Sequence, residues 1–141
     1  MLLADPLTAA ADRDAFQSLF SQSERPAEVS SSVVRSIINA RMKRRQFFDE
    51  RLFADPAWDM LLELYALECE GRSISISKLS FAAGVPGTTA LRWVDKLEEK
   101  ALIVRTDDAL DGRRTWIALS ERGFATMRLY LEQITGLDSA V

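Results

Sequence analysis

Residues 84–100 read GVPGTTALRWVDKLEEK, and on a helix their polar members gather on one side. Thr88, Thr89, Arg92 and Lys96 fall on turns facing away from Ala90, Trp93, Val94 and Leu97, which hold the i, i+3, i+4 and i+7 positions of an apolar stripe. Hydroxyls followed one turn later by a guanidinium suit hydrogen bonding to base edges and phosphate oxygens. Arg92 can donate a bidentate pair to guanine O6 and N7, a contact worth about 1–3 kcal/mol of discrimination. Gly87 keeps the amino end of the helix small, which permits the close approach that base reading requires. Lys96 adds a cation farther along, offset by Asp95 and Glu99 nearby. Ser77 and Lys78, at the start of the preceding helix, are also candidate DNA-binding residues. Arg113 and Arg114 stand just past the tip of the polar stretch DDALDGRR, where long cations reach adjacent phosphates or a narrow minor groove. Scattered charges on a helix usually form a solvated face. Small residues, Arg92 and the hairpin arginines together match double-stranded DNA better.

The commoner catalytic and metal-binding chemistries lack their residues. With no histidine and one cysteine, the usual zinc sets, a histidine-based triad and an internal disulfide are excluded. DDALDG begins like a calcium loop, but position 3 falls on Ala109 and position 12, where a bidentate glutamate is required, on Ala118. No nucleophile–base pair and no glycine-rich phosphate loop stands out. An enzyme, a metal site and a cofactor are therefore not expected. Cys69 falls on an apolar helical stripe and reads as a small core residue.

The elements that must hold the candidate groups follow from the apolar pattern. A chain of 141 residues suits one domain with a modest core. Its net charge of -3 is uneven: residues 1–30 hold five acids against Arg13 and Arg25, the remainder balances at zero, and residues 72–96 carry a local +3. Local charge is what a phosphate meets, because about 0.15 M salt screens exposed charges beyond about 8 Å. Residues 1–30, rich in Ala, Ser and acids, predict a mobile acidic arm. Ser30, Ser31 or Ser32 can cap a helix from Val33 to about Phe48. Asp55 and Pro56 open a second, with Trp58, Leu61, Leu62, Tyr65, Ala66 and Cys69 on its stripe and Gly71 past its end.

SISIS, residues 73–77, alternates as a short half-buried strand does. Ser77 then caps a compact helix that ends at Gly84, and the recognition helix follows over residues 86–100. LIVRT (102–106) and TWIALS (115–120) predict strands around an Asp-Gly turn, a wing spanning 103–119. Ser120 caps a last helix with Phe124, Met127, Leu131 and Ile134 on one stripe. The order α-α-β-α-α-β-β-α is mainly α with a small β-hairpin wing: a winged helix-turn-helix over residues 31–141, flanked by N- and C-terminal helices. The opening MLLADP lacks a basic start, and no apolar run approaches the 18 or so residues of a membrane span, so a cytoplasmic protein is expected.

Residues 78–123, KLSFAAGVPGTTALRWVDKLEEKALIVRTDDALDGRRTWIALSERG, resemble the winged-helix core of the MarR family of bacterial transcription regulators. That family follows its recognition helix with Leu-Glu-x-x-Gly-Leu-Ile, carries Asp-x-x-Asp-x-Arg in the wing, and closes a strand with Leu-Ser/Thr-x-x-Gly. The matching positions are Asp108, Asp111 and Arg113 in the wing, then Leu119, Ser120 and Gly123. The resemblance implies a homodimer joined through terminal helices, with one recognition helix per half of a pseudo-palindromic operator. It also implies that Asp111 supports the wing arginine. A cleft between the terminal helices and the DNA-binding lobe is where small effectors bind in similar regulators, and these residues name no effector. The family's glycine after the recognition helix is Ala101, a substitution costing on the order of 1 kcal/mol where the backbone is left-handed. The function expected is sequence-specific recognition of double-stranded DNA by a transcriptional regulator. The alternative is a winged-helix protein-interaction module with little or no DNA binding, which the pI of about 5.1 favours.

Overall fold

Ser30 starts the first helix, its Oγ accepting from the Val33 N–H at 3.4 Å, and α1 runs Ser31–Phe47. The structure, a computed structural model, describes residues 29–136. The arm expected over residues 1–30 therefore lies outside the described residues except for its last two positions. There Val29 is fully buried, and its carbonyl accepts the Tyr65 hydroxyl at 3.1 Å, which makes Val29 part of the packed domain.

A short 3-10 turn, Glu50–Leu52, leads into α2, Pro56–Glu70. Proline at the first helical position costs no hydrogen bond, and Gly71 ends the helix in the left-handed conformation at φ 69°. Asp55 occupies the cap position, yet its side chain makes no capping bond. The next element departs from expectation. Ser75 rather than Ser77 is the cap, its Oγ accepting the Lys78 N–H at 3.4 Å, so the chain turns into α3, Ile76–Ala83, one residue after Ser75. The SISIS alternation thus yields only a two-residue strand, β1, Ile74–Ser75. Helix α4 spans Gly87–Glu99, with Pro86 at its cap position. Strands β2, Ile103–Asp107, and β3, Thr115–Leu119, follow, then α5, Glu121–Thr135.

The three strands form one antiparallel sheet in the order β1-β3-β2. Ile74 stands opposite Ile117, and Ile103 opposite Leu119, so one face of the sheet delivers all four side chains to the core. Among the described residues this is a mainly helical winged helix-turn-helix in the expected element order.

Helix α2 is the centre of the packing, touching α1, α3, α4, α5 and β3. It consequently buries Met60, Leu62, Leu64, Tyr65, Ala66 and Leu67, a wider arc than the single stripe expected. Trp58, Leu61 and Cys69 are half-buried at its edge, so Cys69 lies outside the core proper. Tyr65 stacks on Phe124 at 4.9 Å between ring centroids and so joins α2 to α5. On α5, Met127 and Leu131 are buried but Ile134 is exposed, because the packing ends a turn before it.

Helix α1 is tied to α2 by charge as well as by Val34. Arg35 forks between Glu63 and Glu70, with Nη1 at 2.9 Å from Glu63 Oε2 and Nη2 at 2.9 Å from Glu70 Oε1. Two of the four cations in RMKRR, residues 41–45, form ion pairs within the chain. Arg41 and Arg45 both pair with Asp59, at 2.6 and 3.1 Å, and Arg45 also donates to the Ala83 carbonyl at 3.2 Å. No helix among the described residues is long and apolar enough to cross a membrane.

Candidate nucleic-acid interface

The turn between α3 and α4 sets the presentation of the candidate helix. Gly84 is left-handed at φ 70°, its N–H donates to the Phe81 carbonyl at 3.1 Å, and the Val85 N–H donates to Ser80 O at 3.1 Å. These bonds satisfy the open carbonyls of α3 and let the chain reverse within residues 84–86. Helix α4 then buries Ala90, Val94 and Leu97 against α2 and α3, with Trp93 half-buried at the flank.

The opposite side of α4 is open. Gly87, Thr88, Arg92 and Lys96 are exposed, and Thr89 is half-buried at the edge. Arg92 makes no ion pair among the described residues, so its guanidinium keeps all its donors for an outside partner. The Lys96 ammonium lies 4.8 Å from the centroid of the Trp93 ring and leans back along its own helix. A Cβ added to Gly87 would meet nothing within 4 Å, so packing inside this chain does not require a glycine there. Ser77 and Lys78 are exposed in the first turn of α3, on the other arm of the helix-turn-helix.

The wing tip is built around two aspartates. Asp108 Oδ1 accepts the backbone N–H groups of Leu110 and Asp111 at 2.9 and 3.3 Å, and Arg114 Nη1 lies 3.8 Å from its Oδ2. The Leu110 N–H above all holds the Asp108 carboxyl below its ordinary range. Asp111, given a supporting role by resemblance, accepts from both the backbone N–H and Nε of Arg113, at 3.1 and 3.2 Å. Arg113 is 94% exposed, while Arg114 lies over the Trp116 ring at 5.4 Å.

One polar contact was not legible in the sequence. Arg105, on β2, donates from Nε and Nη2 to Glu98 Oε1 at 3.0 and 2.8 Å and from Nη2 to Asp95 Oδ1. Glu98 first and then Asp95 raise the guanidinium pKa further. The spacing of Asp95 and Glu98, three residues apart on one helix flank, is the only local signal, and nothing local says that a strand brings a cation to it.

No family model matches the chain, and no curated protein matches it. Solved structures do. A MepR mutant from a multidrug-resistant S. aureus clinical isolate is 25% identical, with 81% of this chain and 86% of that chain covered and a TM-score of 0.51. The PcaV transcriptional regulator from Streptomyces coelicolor is 21% identical, with 61% and 60% covered and a TM-score of 0.51. A probable transcriptional regulator from Pseudomonas aeruginosa is 24% identical, with 58% of each chain covered and a TM-score of 0.47. The chain thus spans less than two thirds of the length of these last two. The structural neighbours are MarR-family transcriptional regulators, and the winged helix-turn-helix described above is the fold they share.

Proposed function

We propose that this chain is a sequence-specific regulator of transcription that binds double-stranded DNA as a homodimer. In this reading α4 enters the major groove and the wing, residues 103–119, lies on the backbone or in the minor groove. The observation that carries it is the division of α4: Ala90, Val94 and Leu97 anchor one side while Thr88 and Arg92 stand exposed and uncommitted on the other. Thr88, Thr89 and Arg92 then read bases, and Ser77, Lys78, Lys96, Arg113 and Arg114 position the protein on phosphates. Gly87 lets the amino end of the helix come close, and Asp111 holds Arg113.

The MepR likeness supports a DNA ligand, since MepR has been crystallised in complex with DNA. Val33 on α1 and Leu129, Tyr130 and Ile134 on α5 are exposed apolar residues, which supports a second copy docking on these terminal helices. Acting on chromosomal DNA, such a regulator works in the cytoplasm.

Selection from a randomised duplex library with the purified protein tests the proposal. It expects one enriched motif with two-fold related halves about one helical turn apart, roughly 34–36 Å. Retention of duplexes without any enriched sequence, or a strictly monomeric complex, counts against it.

A further inference from the structure

Helix α4 carries three acids, Asp95, Glu98 and Glu99, beside the two cations Arg92 and Lys96. Such a helix is a poor match for a phosphate chain unless its carboxylates are dealt with. Asp95 and Glu98 have side chains 61% and 43% exposed, so both can face an incoming polyanion. Asp95 adjoins Lys96, the α4 cation assigned to phosphate, so its charge acts within about one Debye length, 8 Å, of a phosphate seated there. The structure meets this problem with one residue from another element. Arg105 comes from β2, at the base of the wing, and its guanidinium bonds both carboxylates at once. An exposed ion pair adds little to folding stability, so stability alone does not account for a cation shared between two helix acids.

We propose that Arg105 is a positioning residue for DNA recognition: by holding Asp95 and Glu98 toward β2 it draws their charge away from the phosphates and leaves Arg92 and Lys96 to set the local potential. This inference rests on the reading of α4 as the recognition helix. Arg105 itself touches no DNA in this scheme. Its Nε and Nη2 are taken up by Glu98 and Asp95 and its side chain is 28% exposed, whereas that of Arg113 is 94% exposed.

The test compares duplex affinity and its salt dependence, on the motif selected above, for wild type and three variants. Arg105→Gln releases both acids and is expected to bind about tenfold more weakly, the scale of a like charge left against a phosphate. Its log–log salt slope stays at the wild-type value, because no phosphate contact has been removed. Arg105→Gln/Asp95→Asn/Glu98→Gln recovers most of the loss. Asp95→Asn/Glu98→Gln, with Arg105 intact, binds at least as well as wild type, and this variant carries the test if Arg105→Gln melts early. A salt slope reduced by about 0.9 in Arg105→Gln, the mark of one lost phosphate contact, overturns the proposal. So does a triple variant as weak as the single one, or a double variant weaker than wild type. Wild-type protein that retains no duplex sinks both readings, whereas wild type and Arg105→Gln binding equally well sinks this one alone.

Discussion

Gly123 lies so close to Leu102 that a Cβ added to it would overlap the Leu102 carbonyl oxygen and stand 2.9 Å from the carbonyl carbon. The same carbonyl accepts the Ser120 N–H at 3.0 Å, and the Ser120 hydroxyl accepts the Gly123 N–H at 2.9 Å. The first turn of α5 is thus pressed onto the chain entering β2, and backbone rather than a flexible side chain would have to yield. Gly123→Ala should lower stability by about 1–3 kcal/mol, the usual cost of overpacking. Urea unfolding of the variant checks this, and an unchanged midpoint would show that the contact can relax.

Ala101 adopts φ 61°, a left-handed backbone, at the end of α4. Its N–H donates to Glu98 O at 2.9 Å and the Leu102 N–H to Leu97 O at 3.0 Å, the pairing of a Schellman cap whose favoured residue here is glycine. Ala101→Gly should therefore stabilise the protein by about 1 kcal/mol. Thermal melting would register a rise of several degrees. A fall in the melting temperature would contradict the strain assigned to this alanine.

Gly87 has open space where a side chain would go. Gly87→Ala should leave stability unchanged or raise it by up to about 1 kcal/mol through helix propensity. Duplex affinity should nevertheless drop, because the added methyl stands between the helix and a base edge. Equal affinity for both proteins would remove close approach at Gly87 from the interface.

Arg92 and Arg113 should fail in different ways. Arg92→Ala should cost about 1–3 kcal/mol on the preferred site and relax selectivity at one position. Arg113→Ala should weaken binding to all duplexes and shallow the salt slope by about 0.9. Titrations at several salt concentrations with matched and mismatched duplexes separate the two, and identical profiles would argue against the assigned roles.

Acid should weaken the fold through Glu70 and Asp108. Hydrogen bonds from Arg35 chiefly lower the Glu70 carboxyl, and the Leu110 N–H chiefly lowers that of Asp108. A folded-state pKa below the unfolded one means the folded chain binds fewer protons. Their contribution is complete above the ordinary carboxylate range, about pH 4, and is lost as pH falls through the depressed folded values. Urea midpoints followed from pH 6 downward should fall in that window, and Glu70→Gln should flatten the fall. A variant as acid-sensitive as wild type would show that the Arg35 fork is not responsible.

Much of this site was readable from local patterns. The stripe Ala90, Val94, Leu97 predicted which side of α4 is buried, and so left Thr88 and Arg92 on the outer side. The glycines at 71 and 84 marked helix ends where the backbone is indeed left-handed. Less readable were features that depend on what packs alongside. The choice between Ser75 and Ser77 as cap turned on a strand pairing, since Ile74 and Ser75 are held opposite Ile117 and Trp116 before the helix can begin. Ile134 continued a stripe whose neighbours run out, and it is exposed for that reason.

By itself, the amino-acid order determined the succession of elements and the two sides of the recognition helix, because those depend on residues three or four places apart along one chain segment. Only the tertiary structure decided which charges are neutralised inside the molecule. Arg41 and Arg45 close on Asp59, and Arg105 closes on Asp95 and Glu98. An ion pair between separate elements follows from where packing sets the two backbones, and a cation in the sequence carries no mark of whether it will meet an acid or be left facing solvent, as Arg92 is.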